Sequence, residues 1–152
     1  MRKYVVSVLC LLLIGIGMAY SASSAEVKIT NPSNGATVSK SIDVGGTSKD
    51  IPAGAALWIM VYPHGVNRYY PQDKRDFPVV MTANGDWSTK AVIGSDTDSG
   101  LEFEIFVVLA DEKANQAIID YLDKSKASGS WPGMEPLPDG SMIYDKVSVT
   151  RK

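Results

Sequence analysis

The feature that most limits the fold of this chain is a succession of short apolar runs, each bounded by residues that favour turns. Gly, Pro, Asn and Ser cluster between the runs, for example at residues 31–35 and 45–46. Several runs alternate apolar and polar residues, which is the pattern of a strand with one buried face. The predicted strands cover residues 27–30, 41–44, 56–62, 77–82, 87–93, 101–109 and 143–150.

Two of these strands are joined by a short hairpin. Residues 83–86 read Ala-Asn-Gly-Asp and separate two strand-like runs. Asn-Gly at such a place indicates a tight turn, because both residues accept the positive φ angles that hairpin turns need. Seven or eight short strands with turns of this kind indicate a β-sandwich.

One segment has the spacing of a helix instead of a strand. Asp111 is a suitable N-cap, and Gly129 is a suitable stop signal, so we expect a helix over about 112–127. The apolar residues of its buried face are Ala114, Ala117, Ile118, Tyr121 and Leu122.

These elements predict a mainly β protein, an immunoglobulin-like antiparallel β-sandwich with one inserted α-helix before the final strand. We expect residues 26–152 to form a single domain, and they show no internal repeat. The strands at 57–62 and 101–109 are apolar on both faces, whereas a strand of a two-layer sandwich normally has one solvated face. We therefore expect the helix to pack on the outer face of the sheet that contains them.

The last predicted strand alternates along its length. A side-chain period of two places Ile143, Val147 and Val149 on the core face. The same period turns Tyr144 and Lys146 to the opposite face.

The first residues have the pattern of a secretory signal peptide. A basic start precedes an apolar stretch at 4–19, and small residues follow as far as Ala25. This order predicts a signal peptide over residues 1–25, cleaved between Ala25 and Glu26, and a secreted, periplasmic or cell-envelope location. An uncleaved membrane anchor is the alternative, although the apolar stretch is shorter than the ~20 residues of a spanning helix.

Removal of this segment changes the charge and the cysteine content. The whole chain has 15 basic and 17 acidic residues and a formal net charge of −2. Loss of Arg2 and Lys3 leaves 13 basic residues and a net charge of −4, which argues against nucleic-acid binding. The single cysteine, Cys10, lies inside the apolar stretch rather than at its end, which argues against lipidation. The mature chain can then form neither a disulfide nor a Cys/His metal site, and we expect no cofactor.

Six stretches carry a resemblance to a known family, namely residues 29–38, 42–47, 57–63, 68–72, 82–88 and 107–111. They resemble prokaryotic exported Ig-like domains, of the bacterial Ig-like or fibronectin-III-like kind. The middle and last stretches resemble a subgroup with a helix before the final strand. The resemblance covers most of the mature chain and implies a non-catalytic domain for adhesion, spacing or ligand binding.

The segment 62–77 is the richest in side chains that commonly contact ligands. Aromatic rings provide apolar area, and neighbouring amides and charges provide orientation, as in a sugar or peptide platform. The alternative is that two adjacent tyrosines straddle an edge strand, with one ring in the core. The candidate ligand-binding residues are Arg68, Tyr69, Tyr70, Gln72, Lys74, Arg75 and, from a Gly- and Pro-rich loop, Trp131.

One pattern resembles a cation site. Asp96 and Asp98 lie in an Asp-Thr-Asp-Ser-Gly segment, but Gly100 and Val107 occupy positions where an EF-hand needs ligands. A looser Ca²⁺ site on the two aspartates and an acidic turn between strands are the remaining interpretations, and we favour the turn.

Two patterns resemble parts of a hydrolase site. His64 is the only imidazole, and the sequence contains no nucleophile elbow, so we interpret it as a solvated loop residue. Glu102 and Glu104 share one strand face, and paired carboxylates serve in glycoside hydrolysis. We interpret them as the solvated end of a strand.

These observations favour a small exported, non-enzymatic domain that binds an envelope or extracellular protein or glycan. A carbohydrate-binding module and an inhibitor of a secreted hydrolase are the alternatives. An envelope hydrolase is disfavoured, and membrane contact is expected only through the signal peptide.

Overall fold

The computed structural model of the protein describes residues 24–152. Residues 1–23, on which almost all of the predicted signal peptide falls, lie outside the described part. The elements are β1 (Glu26–Asn31), β2 (Ala36–Val38), β3 (Ser41–Lys49), β4 (Ala56–Pro63), β5 (Tyr70–Pro71), β6 (Val80–Met81), β7 (Asp86–Val92), β8 (Glu102–Ala110), α1 (Glu112–Ser128) and β9 (Ser141–Arg151).

The strands form two sheets with the strand order of an immunoglobulin domain. One sheet has the order β1-β3-β7-β6, and the other has the order β2-β9-β8-β4-β5. This corresponds to the ABED and GFC arrangement with extra edge strands. The predicted mainly β, Ig-like sandwich is confirmed, with the helix between β8 and β9. One pair departs from the antiparallel expectation, because β2 continues in the direction of β1 and pairs in parallel with β9.

The main core lies between the two sheets. Its largest side chains include Trp87 from one sheet and Phe103 and Ile105 from the other, and all three are buried. The indole Nε1 of Trp87 donates to the carbonyl oxygen of Thr47 at 3.1 Å, so its polar atom is satisfied.

A second core lies between α1 and the outer face of β4 and β8, as predicted. Trp58 and Phe106 contribute the large rings, and Ile118 and Leu122 are buried beneath the helix. Trp58 Nε1 donates to Asn115 Oδ1 at 2.9 Å, which ties the helix to the sheet. The two apolar faces of β4 and β8 therefore serve two separate cores.

The helix begins and ends at the signals that the sequence contains. The Asp111 side chain accepts a hydrogen bond from the amide of Ala114 at 2.8 Å, which satisfies a free amide of the first turn. Gly129 ends the helix in the left-handed region at φ 68°. Within residues 24–152, no helix has both the length and the hydropathy required to cross a membrane.

The final strand contains a bulge that the alternation pattern did not predict. Val107 pairs with Asp145, whereas Val108 pairs with Ile143, so Tyr144 is the extra residue. Val149 is buried as expected, but Ile143 is 43% exposed, and Tyr144 packs against the main core instead. The core position predicted for Ile143 is therefore wrong, because a bulge reverses which face the preceding residues occupy.

The predicted hairpin at 83–86 is present, but its first strand is short. Only Val80–Met81 pairs with β7, although the apolar run suggested a strand over 77–82. Gly85 has a φ of 86°, and a Cβ there would collide with the carbonyl oxygen of Ser48. The turn needs glycine for both reasons.

Candidate ligand-binding groove

A groove with a volume of about 740 Å³ lies where several strand ends meet. It is bordered by the last residues of β4 and β7, the first residues of β8, strand β5 and the C-terminal half of α1. The loop that contains Trp131 borders it as well. This volume lies in the range of ordinary ligand sites.

Apolar side chains line the groove both at its floor and at its mouth. Val61 and Phe103 form part of the floor and are themselves members of the main core. At the mouth, Val66 is 51%, Leu101 53% and Trp131 46% exposed. The groove therefore joins the buried core to an apolar surface that water covers in the free protein.

Carboxylates outnumber cations along the groove. Asp76, Asp98 and Glu102 line it, and Lys126 is its one lysine among the described residues. Lys126 Nζ lies 3.1 Å from an oxygen of Asp76. No lysine or arginine of the described chain lies within 4.0 Å of the carboxylates of Asp98 and Glu102.

Three of the seven predicted ligand-binding residues line this groove, namely Tyr70, Gln72 and Trp131, and Asp98 of the weak cation-site candidate lines it as well. Burial raises the pKa of Tyr70 above its usual value. The Gln72 amide links the two sheets, since its Oε1 accepts from the amide of Val92 at 2.8 Å and its Nε2 donates to the Tyr70 carbonyl. Gln72 therefore shapes the groove wall.

Tyr69 points to the other side of the strand from the groove. Its ring lies 4.8 Å from the Tyr62 ring and 5.4 Å from the Phe106 ring, measured between centroids. Its backbone exchanges two hydrogen bonds with Met134. The pKa of Tyr69 is raised above its usual value, and burial of the ring is the main cause. The two tyrosines straddle the edge strand, as the alternative interpretation expected, although both rings remain half-buried.

The predicted cationic residues are engaged elsewhere. Lys74 Nζ lies 4.2 Å from the centroid of the Trp58 ring, and burial lowers the pKa of Lys74 to about 8. Arg68 Nη1 lies 3.3 Å from a carboxylate oxygen of Glu135.

Arg75 belongs to a network that joins the loop after β5 to α1. It contacts both carboxylate oxygens of Asp73 and also donates to Asp123 at 2.7 Å. Lys126 Nζ lies 2.8 Å from Asp73 Oδ2. The Arg75 hydrogen bonds hold the pKa of Asp73 well below its usual range. The network fixes one wall of the groove.

The two aspartates of the weak cation-site candidate point to different partners. Asp96 pairs with Lys40 at 2.9 Å, and Asp98 accepts a hydrogen bond from the amide of Ser95 at 2.6 Å. Both contacts lower the pKa values of these carboxyls. In the described part of the chain, no group of three or more His, Cys, Asp or Glu side chains is arranged to hold a metal ion.

His64 lies at the rim between the two glutamates. Its Nδ1 is 3.4 Å from Glu102, and its Nε2 is 3.9 Å from Glu104. Glu104 also contacts Lys146. Among the described residues, no serine or threonine hydroxyl is hydrogen-bonded to the imidazole, so the cluster lacks the hydroxyl of a Ser-His pair.

The groove residues that sequence patterns alone missed include Val66 and Leu101 at the mouth. They lie on separate loops, and the pairing of β4 with β8 brings those loops together. The available signal was an apolar side chain in each loop, which is common on protein surfaces.

No family model matches the sequence, and the search of curated proteins also gave no match. Among solved structures, the chain is similar to one described as the crystal structure of the RIG-5 IG1 homodimer. The identity is 8%, the TM-score is 0.38, and the alignment covers 86% of this chain and 99% of that chain. The strand order of the two sheets is what identifies the immunoglobulin-like fold here.

Proposed function

We propose that the protein is an exported, non-catalytic binding domain that acts at the cell envelope or outside the cell, and that it binds its ligand in the groove. One observation carries the proposal. Of the seven large hydrophobic side chains that are exposed in the described chain, Val66, Leu101 and Trp131 line this single groove. Apolar side chains gathered at one concave site are typical of a binding surface.

The non-catalytic part of the proposal is supported by the surroundings of His64. The groups near this imidazole are the carboxylates of Glu102 and Glu104 rather than a hydroxyl nucleophile. The export part is supported by the signal-peptide pattern over residues 1–25 and by the resemblance to prokaryotic exported Ig-like domains.

Partner capture with matched variants tests the groove. The purified wild type, a Leu101→Ser variant and a Met142→Ser variant are compared on envelope and culture-supernatant fractions, with captured proteins identified by mass spectrometry. Met142 is 60% exposed and lies outside the groove, so it is the control. We expect a partner that the wild type and the control retain and Leu101→Ser loses, confirmed by binding of purified components. Equal capture by all three would refute the groove as the binding site.

A carbohydrate-binding module is the second candidate, because two aromatic residues, Tyr70 and Trp131, line the same groove. Flat rings stack on sugar faces through apolar contact. A glycan array with the wild type and Trp131→Ala tests this candidate. Absence of wild-type binding to any glycan would exclude it for the glycans on the array.

N-terminal sequencing of the exported protein tests the cleavage site. We expect Glu26 as the first residue after expression of the full chain in a bacterial host with a Sec system. Retention of residues 1–25 on the membrane-bound protein would favour the uncleaved anchor instead.

A further inference from the structure

We propose that the groove binds a peptide segment of a partner protein in which a large apolar side chain stands next to a Lys or Arg. This inference rests on the proposed function of the groove. It adds the chemical identity of the occupant.

The large apolar side chain of the proposed peptide follows from the apolar groove residues, which continue into the main core. Val61 and Phe103 at the floor are almost completely buried, and Leu101 at the mouth is half-exposed. The floor residues expose almost no surface, so an entering side chain would remove from water its own apolar surface and that of the half-exposed mouth residues. Burial of this kind provides most of the free energy of binding at protein interfaces.

The Lys or Arg of the proposed peptide follows from the carboxylates that line the groove. Asp98 and Glu102 stand on either side of Leu101 in the sequence, and both line the groove. Neither has a Lys or Arg within 4.0 Å in the described chain; the more distant charge of Arg151 acts on Asp98, and His64 Nδ1 lies 3.4 Å from Glu102. Lys126, the groove lysine, is shared between Asp73 and Asp76. An anionic ligand would be repelled here, whereas a cationic group is complementary.

The exposure of the mouth favours a peptide over a small organic cation. A small ligand is usually buried on most of its surface in an enclosed site. Val66, Leu101 and Trp131 are each about half-exposed, so a ligand confined to the floor would leave them in water. A peptide covers the floor with one side chain and the mouth with its neighbours. Tryptophan is also the residue type most enriched at the energetic centres of protein interfaces.

Selection from a random peptide display library tests the occupant. The purified protein is the target, and the enriched peptides are then tested for binding to Leu101→Ser. We expect enriched sequences with Leu, Phe or Trp adjacent to Lys or Arg. A synthetic peptide of the enriched sequence is then measured against variants of the acidic residues.

The charge variants separate attraction by the groove from general attraction by an acidic protein. Glu102→Gln should weaken binding of the peptide about 2- to 5-fold, as expected for an exposed ion pair, and Glu102→Lys should weaken it at least about 10-fold. Asp43→Asn is the control, because Asp43 lies on β3 in the other sheet. It should leave the affinity unchanged. Raising the salt concentration should weaken wild-type binding and should affect Glu102→Gln less.

The outcomes distinguish this inference from the proposed function. Enriched peptides that need Leu101 but show no preference for Lys or Arg would refute the inference and leave groove binding intact. A failure to enrich any peptide would also refute it, and the partner capture experiment would then decide the role of the groove. Peptides that bind Leu101→Ser as well as the wild type would contradict both. Thermal unfolding of each variant confirms that it is folded.

Discussion

Lys126 in the last turn of α1 binds the carboxylate of Asp73, with 2.8 Å between Nζ and Oδ2. Arg75 holds the same carboxylate through a bidentate contact, with Nε 2.9 Å from Oδ1 and Nη2 2.8 Å from Oδ2. Asp73 is 7% exposed and therefore depends on these partners for the hydrogen bonds that water would otherwise supply. The Lys126–Asp73 ion pair joins the loop after β5 to the helix and sets the position of one groove wall.

Replacing Asp73 by Ala should destabilise the protein by about 1–3 kcal/mol, because hydrogen bonds to a buried charged group are lost. The control is Asp123→Ala, which removes an exposed carboxylate that also binds Arg75. An exposed ion pair contributes about 0–1 kcal/mol, so this variant should remain close to the wild type. Urea unfolding at neutral pH measures both. Equal effects would contradict the central role of Asp73.

The Asp73 carboxylate also predicts that stability depends on pH in acidic solution. The pKa of Asp73 is held below its usual value of about 3.9, so the folded state favours the ionised form. The stabilisation by ionised Asp73 is complete above that usual value. It is lost as the pH falls below that value toward the lower pKa of the folded state, because the unfolded chain takes up the proton first. The stability advantage of the wild type over Asp73→Asn should therefore shrink between about pH 5 and pH 2. Unfolding of both proteins across this range measures it, and a constant difference would refute the assignment.

Lys74 predicts a second increase of stability with rising pH, in alkaline solution. Burial lowers its pKa to about 8, whereas the unfolded chain keeps a value of about 10.4. Between these values the unfolded chain binds the additional proton, so folding becomes more favourable as the pH rises. Relative to Lys74→Met, which does not titrate there, the wild type should gain stability between pH 7 and pH 10. Parallel changes in the two proteins would show that Lys74 is solvated.

The hairpin glycine offers a test with an internal control. Gly85 and Gly54 both have positive φ angles, of 86° and 82°. A Cβ at Gly54 would have no atom within 4 Å, whereas one at Gly85 would strike the Ser48 carbonyl. Gly54→Ala should cost about 1–2 kcal/mol for the left-handed backbone alone, and Gly85→Ala should cost clearly more. Thermal unfolding compares them, and equal losses would contradict the close approach at Ser48.

The sequence was most informative where local pattern and burial agree. Strands β4 and β8 are apolar on both faces, and this required a second layer, which the amphipathic helix supplies. Asp111 and Gly129 mark the ends of that helix through local hydrogen bonding and backbone preference, which act over a few residues. Such signals are present in the sequence itself.

The groove was harder to predict from the sequence, because the residues that line it are distant from one another along the chain. Tyr70 and Trp131 were candidates for their chemistry, but Val66 and Leu101 gain meaning only from the pairing of β4 with β8. Arg75 was also a candidate for its chemistry, but the structure pairs it with Asp123 on the helix. Whether a charged side chain is free or paired depends on such tertiary contacts, which spacing does not reveal.

The bulge in β9 gives the last prediction, because alternation and structure disagree there. Alternation groups Ile143 with Val149 on the core face, whereas the structure leaves Ile143 exposed and Val149 1% exposed. Val149→Ala should therefore cost about 2 kcal/mol or more through lost burial and a cavity. Ile143→Ala should change stability by about 0.5 kcal/mol or less, as is usual for exposed positions. Chemical denaturation of the two variants measures the difference. A large loss for Ile143→Ala would mean that the strand keeps its alternation through residue 144 and contains no bulge.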